Sequence, residues 1–223
     1  MAIAGPERTC VILPAKGFAQ AKTRLRAHMS DQARCALARE LLMRALRVSL
    51  RCPSVSATYV VTNGDDVAEL VHELDTERRA AVLRDPGPNL SLAALMDWAL
   101  REATLRGSSR ALIVMADLPA IEPCDIEAVL ATLDAYDCVL VPDRRGQSTN
   151  ALALRLPFAG RTAFGHAQSL AEHRALARAL SLRTWVLANG RIAHDVDVPE
   201  DLPGLGVGLD RCPGHVAGKH QGW

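Results

Sequence analysis

The chain has 223 residues, of which 49% are hydrophobic, enough for one α/β domain with at most a small appendage. A chain of that length buries roughly 70% of its unfolded surface and needs neither disulfides nor a structural metal to fold. With 26 basic and 25 acidic side chains, a net charge of +1 and 4% aromatic residues, it lacks the electrostatic footprint of a nucleic-acid or membrane binder and the stacking platforms for single strands.

Six cysteines (Cys10, Cys35, Cys52, Cys124, Cys138 and Cys212) form no C-x-x-C pair. That excludes zinc and dithiol signatures and leaves small core hydrophobes of a reducing compartment as the expectation. MAIAGPERTC is no signal peptide and no apolar run reaches membrane-spanning length, so a cytoplasmic protein is expected, with neither membrane nor nucleic acid as partner.

In chain order, Thr9–Leu13 reads as a strand leading into LPAKGFAQAKTRLR. Lys16, Lys22, Arg24 and Arg26 share this loop, and the only other lysine is Lys219. Ammonium and guanidinium groups at a strand's carboxyl end suit a triphosphate; a solvated basic loop is the alternative. No G-x-x-x-x-G-K-[ST] is present, which excludes a P-loop NTPase. Ser30 then caps a helix running to about Ser49, with Leu37, Leu41 and Val48 on its apolar stripe and Arg34, Arg39, Arg44 and Arg47 mostly outside it.

Next come a strand at Ala57–Thr62, a helix after Asp65–Asp66 and a strand at Ala80–Arg84. Pro86-Gly87-Pro88 forms a rigid turn, after which Asn89 or Ser91 caps a helix from about Leu92 to Arg106, closed by Gly107. That helix start could present N–H groups to a base or ribose, or be purely structural.

A strand at Ala111–Met115 delivers Asp117 to the sheet edge, either as a Mg²⁺ ligand or as a cap for the next turn. A helix opens at Pro123 and a strand at Cys138–Val141. Arg144, Arg145, Gly146, Ser148, Thr149 and Asn150 follow, a set that suits a small anionic acceptor and equally an ordinary polar hairpin. A strand at Ala151–Leu156 precedes FGHAQSLAEH, where Ser169 is expected to cap a helix to Leu180. The seven histidines, His173 included, have no metal-ligand spacing and no nucleophile partner, and read as structural or exposed.

Final strands are expected at Thr184–Leu187 and Ile192–Val198. On the latter, Asp195 and Asp197 point to one face, and two like charges so close favour a cation between them. Together with Asp117 they are candidates for one or two Mg²⁺ ions. The β-α alternation predicts a doubly wound three-layer α/β/α sandwich with a mostly parallel, Rossmann-like sheet over residues 1–203. The glycine-rich segment 204–223 is expected to be a flexible tail.

These segments resemble the nucleotide-diphospho-sugar transferase type of fold and, within it, the guanylyltransferase family of deazaflavin coenzyme F-420 biosynthesis (CofC/FbiD). The carriers are Pro14-Ala15-Lys16, Ala21-Lys22-Thr23-Arg24-Leu25, Asp85-Pro86-Gly87-Pro88, Ala116–Pro119, Pro142 to Leu152 (PDRRGQSTNAL) and Asp195 to Asp201 (DVDVPED). Where the family has G-L-N-A-A-L, this chain has Ser91 in the asparagine's place. Its F-G-x-x-S-x-x-x-H stretch appears as Phe164-Gly165 and Ser169…His173, one residue longer.

The resemblance implies Lys16, Lys22 and Asp117 as catalytic residues and Lys16, Lys22, Arg24, Asp85, Pro88, Ser91 and Asp117 as the GTP site. It further implies Thr149, Asn150, Gly165 and Ser169 for the acceptor and Asp117, Asp195 and Asp197 for Mg²⁺. The implied reaction joins GMP from GTP to 2-phospho-L-lactate, phosphoenolpyruvate or 3-phospho-D-glycerate and releases pyrophosphate. The enzyme that next transfers the adduct to the deazaflavin is a candidate protein partner. An arginine-rich, lysine-poor chain suggests a GC-rich bacterial genome and favours the last two acids. The alternatives are a molybdopterin or sugar-phosphate acceptor, whose families carry a glycine-rich first loop absent here, and a non-catalytic nucleotide-binding protein.

Overall fold

The computed structural model describes residues 7–75, 77–87 and 90–201; the expected tail and the turn residues Pro88 and Asn89 lie outside them. Seven strands form one sheet: β1 (Thr9–Pro14), β2 (Ala57–Thr62), β3 (Ala80–Arg84), β4 (Arg110–Val114), β5 (Cys138–Pro142), β6 (Thr149–Arg155) and β7 (Thr184–Val186), in the order β3-β2-β1-β4-β6-β5-β7. All neighbours are parallel except β6, which runs antiparallel to both β4 and β5. The helices are α1 (Asp31–Arg51), α2 (Asp65–Leu74), α3 (Leu92–Leu105), α4 (Pro123–Ala135) and α5 (Ser169–Ala179).

Two apolar layers explain why the central strands read as continuous hydrophobic runs. On one face Val11, Leu13, Val60, Leu112, Val114, Val139 and Val141 meet Leu42, Leu46, Leu70, Val129 and Leu130 from α1, α2 and α4. On the other, Cys10, Ile12, Val61, Ile113, Leu140 and Leu152 meet Met96, Ala99, Leu100 and Leu170 from α3 and α5. The three-layer expectation holds. Cys10, Cys52 and Cys138 are buried, but Cys124 is exposed, so the core-hydrophobe reading fits only part of the set. Among the described residues no helix is long and apolar enough to cross a membrane.

Local signals behave as their chemistry dictates. Ser30 Oγ accepts from Ala33 N–H at 3.1 Å and starts α1; Ser91 Oγ accepts from Ala94 N–H at 3.2 Å and starts α3. Gly107 ends α3 at φ +83°, which spares a side chain the left-handed region. Two expectations fail. Arg34 is buried at 1% exposure, because its guanidinium turns off the helix to donate to the Ala21 carbonyl and pairs with Asp31. Residues 192–198 form a turn and loop, not a strand.

Doubly wound sheets bind ligands outside the carboxyl ends of their strands, at the point where strand order reverses. Here that point lies between β1, whose chain continues outward to β2, and β4 on its other side. The loop after β1 is seated there by a close backbone approach. A Cβ on Gly64, the residue capping α2, would lie 2.6 Å from Gly17 Cα and 2.6 Å from Asp66 Oδ1. Gly64→Ala is therefore expected to cost about 1–3 kcal/mol through overpacking, measured by urea unfolding, with the loop after β1 as the segment that must shift.

Candidate active site

The loop after β1 is pinned at three points. Phe18 N–H donates to Asp66 Oδ2 at 2.8 Å, Phe18 itself is buried, and Arg34 holds the Ala21 carbonyl from below. The next residue, Lys22, adopts φ 51°, ψ 39°, a left-handed conformation costing a non-glycine residue roughly 1–2 kcal/mol. That turn aims its side chain across the switch point. Lys22 Nζ lies 2.6 Å from Asp117 Oδ2 and 3.4 Å from Asp197 Oδ1, with its side chain only 10% exposed. Burial alone would lower the ammonium's pKa, but Asp117 and Asp197 more than offset it and hold the group above its ordinary value. Arg24 Nη1 pairs with the other Asp197 oxygen at 2.9 Å. Lys16 is exposed on the same loop.

Asp117 sits in the turn just beyond β4. Asp195 and Asp197 reach the same place without strand geometry, because the backbone of their loop spends its donors elsewhere. Asn189 Oδ1 accepts from Arg191 and Ile192 N–H, each at 3.0 Å, and Val196 N–H donates to the Asp117 carbonyl at 3.2 Å. Asp201 Oδ2 accepts from Asp197 N–H at 2.8 Å and Val198 N–H at 2.9 Å, and its other oxygen pairs with Arg144. At the loop's far end, Arg191 grips the buried Asp125 of α4 through Nε and Nη2 at 2.8 and 2.7 Å, with Asn189 Nδ2 on the same carboxylate at 2.8 Å. Burial would raise the Asp125 carboxyl, yet these donors hold it below the usual range.

The expected cluster of three metal-binding carboxylates is not assembled as such. Among the described residues no group of three or more His, Cys, Asp or Glu side chains converges on a common point, and the Lys22 ammonium bridges two of the three aspartates instead. Two features nevertheless fit a hard divalent cation. Asp117 Oδ1 is buried without a hydrogen-bond partner, a state costing about 1–3 kcal/mol. The Asp195 carboxyl is pushed up by burial, helped by the charges of Asp117 and Asp197 against the opposing Asn150 hydrogen bond. Added positive charge relieves both, and oxygen donors of this kind are the ordinary ligands of Mg²⁺.

Beside the carboxylates opens a cavity of about 450 Å³, whose lining includes Asp117, Asp195 and Asp197 together with Thr149, Phe164, Gly165 and Ser169. Arg24, Arg144 and Arg145 also border it. Thr149 begins β6 and Ser169 begins α5; Ser169 is not the helix cap, which falls on Gln168, and its Oγ instead accepts from Thr149 N–H at 3.0 Å. Gly165 has φ +86°, a turn that bends the chain past the cavity. Asn150 lines it too, but both amide hydrogens are committed, to Ile192 O at 2.9 Å and Asp195 Oδ1 at 3.2 Å. Those two bonds hold the Asp195 carboxylate against the Ile192 turn.

Of the remaining expected nucleotide contacts, Asp85 and Ser91 do not line this cavity. Asp85 Oδ1 closes its own turn by accepting from Gly87 N–H at 2.9 Å, Ser91 caps α3, and Pro88 is outside the described residues. Sequence reasoning missed the positioning roles of Asp66, Asp125, Arg191 and Asp201. Only Asp201, inside the DVDVPED run, carried any signal. Of the two readings given for the histidines, His173 takes the structural one at 4% exposure: Ala163 N–H donates to its Nε2 at 2.8 Å and its Nδ1 lies 3.0 Å from Thr149 Oγ1.

Comparison with known proteins adds the following. A family profile described as "Guanylyl transferase CofC like" matches residues 9–208. The chain is 37% identical over 199 residues to the phosphoenolpyruvate guanylyltransferase of Sphaerobacter thermophilus, covering 88% of this chain and 92% of that one. It is 33% identical over 192 residues to the 3-phospho-D-glycerate guanylyltransferase of Phenylobacterium zucineum, covering 85% and 86%. Among solved structures, a protein from Desulfovibrio desulfuricans described as a nucleotide-diphospho-sugar transferase superposes with a TM-score of 0.68 at 18% identity, over 86% of this chain and 84% of that one. That last likeness concerns the fold alone.

Burial of His173 has a consequence for stability. Loss of hydration pulls its pKa from 6.5 to about 4, opposed by the Ser169 carbonyl and the Glu172 charge and aided by His166. The folded ring stays neutral while the unfolded one takes a proton below pH 6.5, so stability is full above that pH and falls as pH drops toward 4. The loss is expected to approach roughly 3 kcal/mol. Urea unfolding from pH 7 to 4 should show this slope in the wild type and a shallower one in His173→Asn, in which the carboxylates still titrate.

Proposed function

The chain belongs to the CofC-like guanylyl transferase family and is a guanylyltransferase, and from that premise we propose that it moves GMP from GTP to a phosphorylated three-carbon acid, phosphoenolpyruvate or 3-phospho-D-glycerate, with release of pyrophosphate. One observation carries the reading: a cavity large enough for a small acid, whose lining includes Asp117, Asp195 and Asp197 together with Thr149 and Ser169.

The chemistry asks the protein for placement and charge control. A phosphate oxygen of the acid attacks the α-phosphorus of GTP, the bond to the bridging oxygen breaks in line, and pyrophosphate leaves with that electron pair. The attacking oxygen is already anionic at neutral pH, so no general base is required. Two anions must be brought together and the charge spreading over the transferred phosphoryl group must be met by fixed positive groups. Lys22, Lys16 and Arg24 supply such groups from the loop after β1. Asp117, Asp195 and Asp197 are the residues that would hold Mg²⁺, which supplies Lewis-acid stabilisation of phosphate oxygens. Asn150, Asp201 and Arg144 keep two of those aspartates in place. Thr149 and Ser169 face the acid with hydroxyl donors, so that its carboxylate need not meet the aspartates.

The direct test is to incubate the protein with Mg²⁺, GTP and each acid and to measure pyrophosphate. Release should require both substrates, and release with neither phosphoenolpyruvate nor 3-phosphoglycerate sinks the acceptor assignment. Asp117→Asn is expected to lower kcat about a hundredfold or more, since several kcal/mol of charge stabilisation depend on that carboxylate at about 1.4 kcal/mol per decade; its circular dichroism should match the wild type. Lys22→Ala should both raise the KM for GTP and lower kcat, roughly tenfold or more in kcat/KM, as for a contact made in ground and transition states alike.

A further inference from the structure

Behind Thr149 lies a buried hydrogen-bond chain that the reaction scheme does not use. Ala163 N–H donates to His173 Nε2 at 2.8 Å. A ring nitrogen that accepts a hydrogen bond carries its lone pair there, so the single proton of a neutral imidazole must sit on Nδ1. Nδ1 lies 3.0 Å from Thr149 Oγ1. The contact therefore has one direction: Nδ1–H donates and the threonine oxygen accepts. Phe164 packs edge-on against the imidazole, with ring centroids 4.9 Å apart at 67°, and fixes the ring plane. Burial holds the imidazole pKa down to about 4, so the tautomer stays neutral through the physiological range.

The threonine hydroxyl is consequently left with its own proton, which has no protein acceptor among the described residues, while the residue lines the cavity. Ser169 repeats the pattern: its oxygen accepts from Thr149 N–H at 3.0 Å and its hydroxyl proton has no protein acceptor among the described residues. A free hydroxyl rotates and can offer either a proton or a lone pair. One whose oxygen is engaged from behind offers its proton forward. An anionic acid has only lone pairs to present, so a wall of hydroxyls set in advance as donors spares the cost of reorienting them on binding.

We propose that His173 is a positioning residue for the acceptor substrate, fixing the Thr149 hydroxyl as a one-way donor to an anionic oxygen of the acid. The proposal rests on the acceptor reading above and deepens it. It also implies selectivity against a ligand that presents only donor groups, such as an ammonium, at that point.

Steady-state kinetics of the full chain test it with Thr149→Val, His173→Phe, His173→Asn and the double variant Thr149→Val/His173→Phe. Thr149→Val should raise the KM for the acid roughly ten- to a hundredfold, as for a lost hydrogen bond to a charged group, with little change in the KM for GTP. His173→Phe should raise the same constant in the wild-type background and have no further effect once Thr149 is valine. His173→Asn, whose amide nitrogen can stand where Nδ1 stood, should recover most of the loss. Nitrogen-15 spectra of the histidine rings should show one ring protonated at Nδ1 with an unprotonated Nε2, and this decides the matter even if His173→Phe does not fold. A proton on Nε2, or effects of the two substitutions that simply multiply, overturns the inference alone. An unchanged KM for the acid in Thr149→Val overturns the acceptor reading and the inference with it.

Discussion

The site hangs on one contact, the 2.6 Å pair between Lys22 Nζ and Asp117 Oδ2, reinforced by Asp197 at 3.4 Å. It ties together segments 95 and 175 residues apart in sequence. Removing an ammonium from water costs several kcal/mol, and a buried pair returns that energy only with good geometry and additional partners. Here the second carboxylate supplies the additional partner. The pair is poor as a source of net stability but effective as a registration device. It fixes the loop after β1, the turn after β4 and the loop after β7 relative to one another at the switch point of the sheet.

Much of the surrounding structure supports that contact. The left-handed backbone at Lys22 is affordable because Arg34 and Asp66 fix the loop from two sides. The aspartate loop is clamped at both ends, by Asp125 through Arg191 and Asn189 and by Asp201 through backbone N–H groups. Helix α4 serves both purposes in this arrangement: Asp125 completes its capping box with Glu122 and also anchors the loop. Asp117, with its buried unpartnered oxygen, and the raised carboxyl of Asp195 are thereby held in place, Asp117 against the Lys22 ammonium. In the proposed reaction these are the groups that would receive a cation and, through it, phosphates.

In the proposed reaction the hydroxyls lining the cavity meet a complementary problem. An acid with two anionic groups cannot sit against aspartates, and arginines alone would bind it without fixing its orientation. Neutral hydroxyls with their oxygens already engaged give directional donors in a partly dry setting, where a hydrogen bond to an anion counts for more than in water. The proposed reaction thus divides the labour within one cavity: charge for the phosphates, directed neutral donors for the acid.

The sequence by itself determined the layers and most of the elements, because apolar runs covered on both faces and capped amphipathic helices are local signals; Ser30, Ser91 and Gly107 sit where their chemistry places them. It also put Lys22 and Asp117 beyond the carboxyl ends of strands, which is where a doubly wound sheet binds ligands, and Asp195 and Asp197 on a last strand that does not form. What it could not determine is how backbone donors are spent across the fold. Residues 192–198 carry a strand-like alternation, yet their N–H groups go to Asn189, Asp117 and Asp201, so the strand expected from that spacing does not form. Arg34 reads as a surface charge until the Ala21 carbonyl is seen beneath it, and Asn150 reads as a substrate contact until both its hydrogens are found engaged. His173 reads as an isolated histidine until the chain brings Ala163 and Thr149 to its two nitrogens. Only the tertiary structure decides such cases, because a hydrogen bond depends on a partner's position in space and leaves no periodic trace in the sequence.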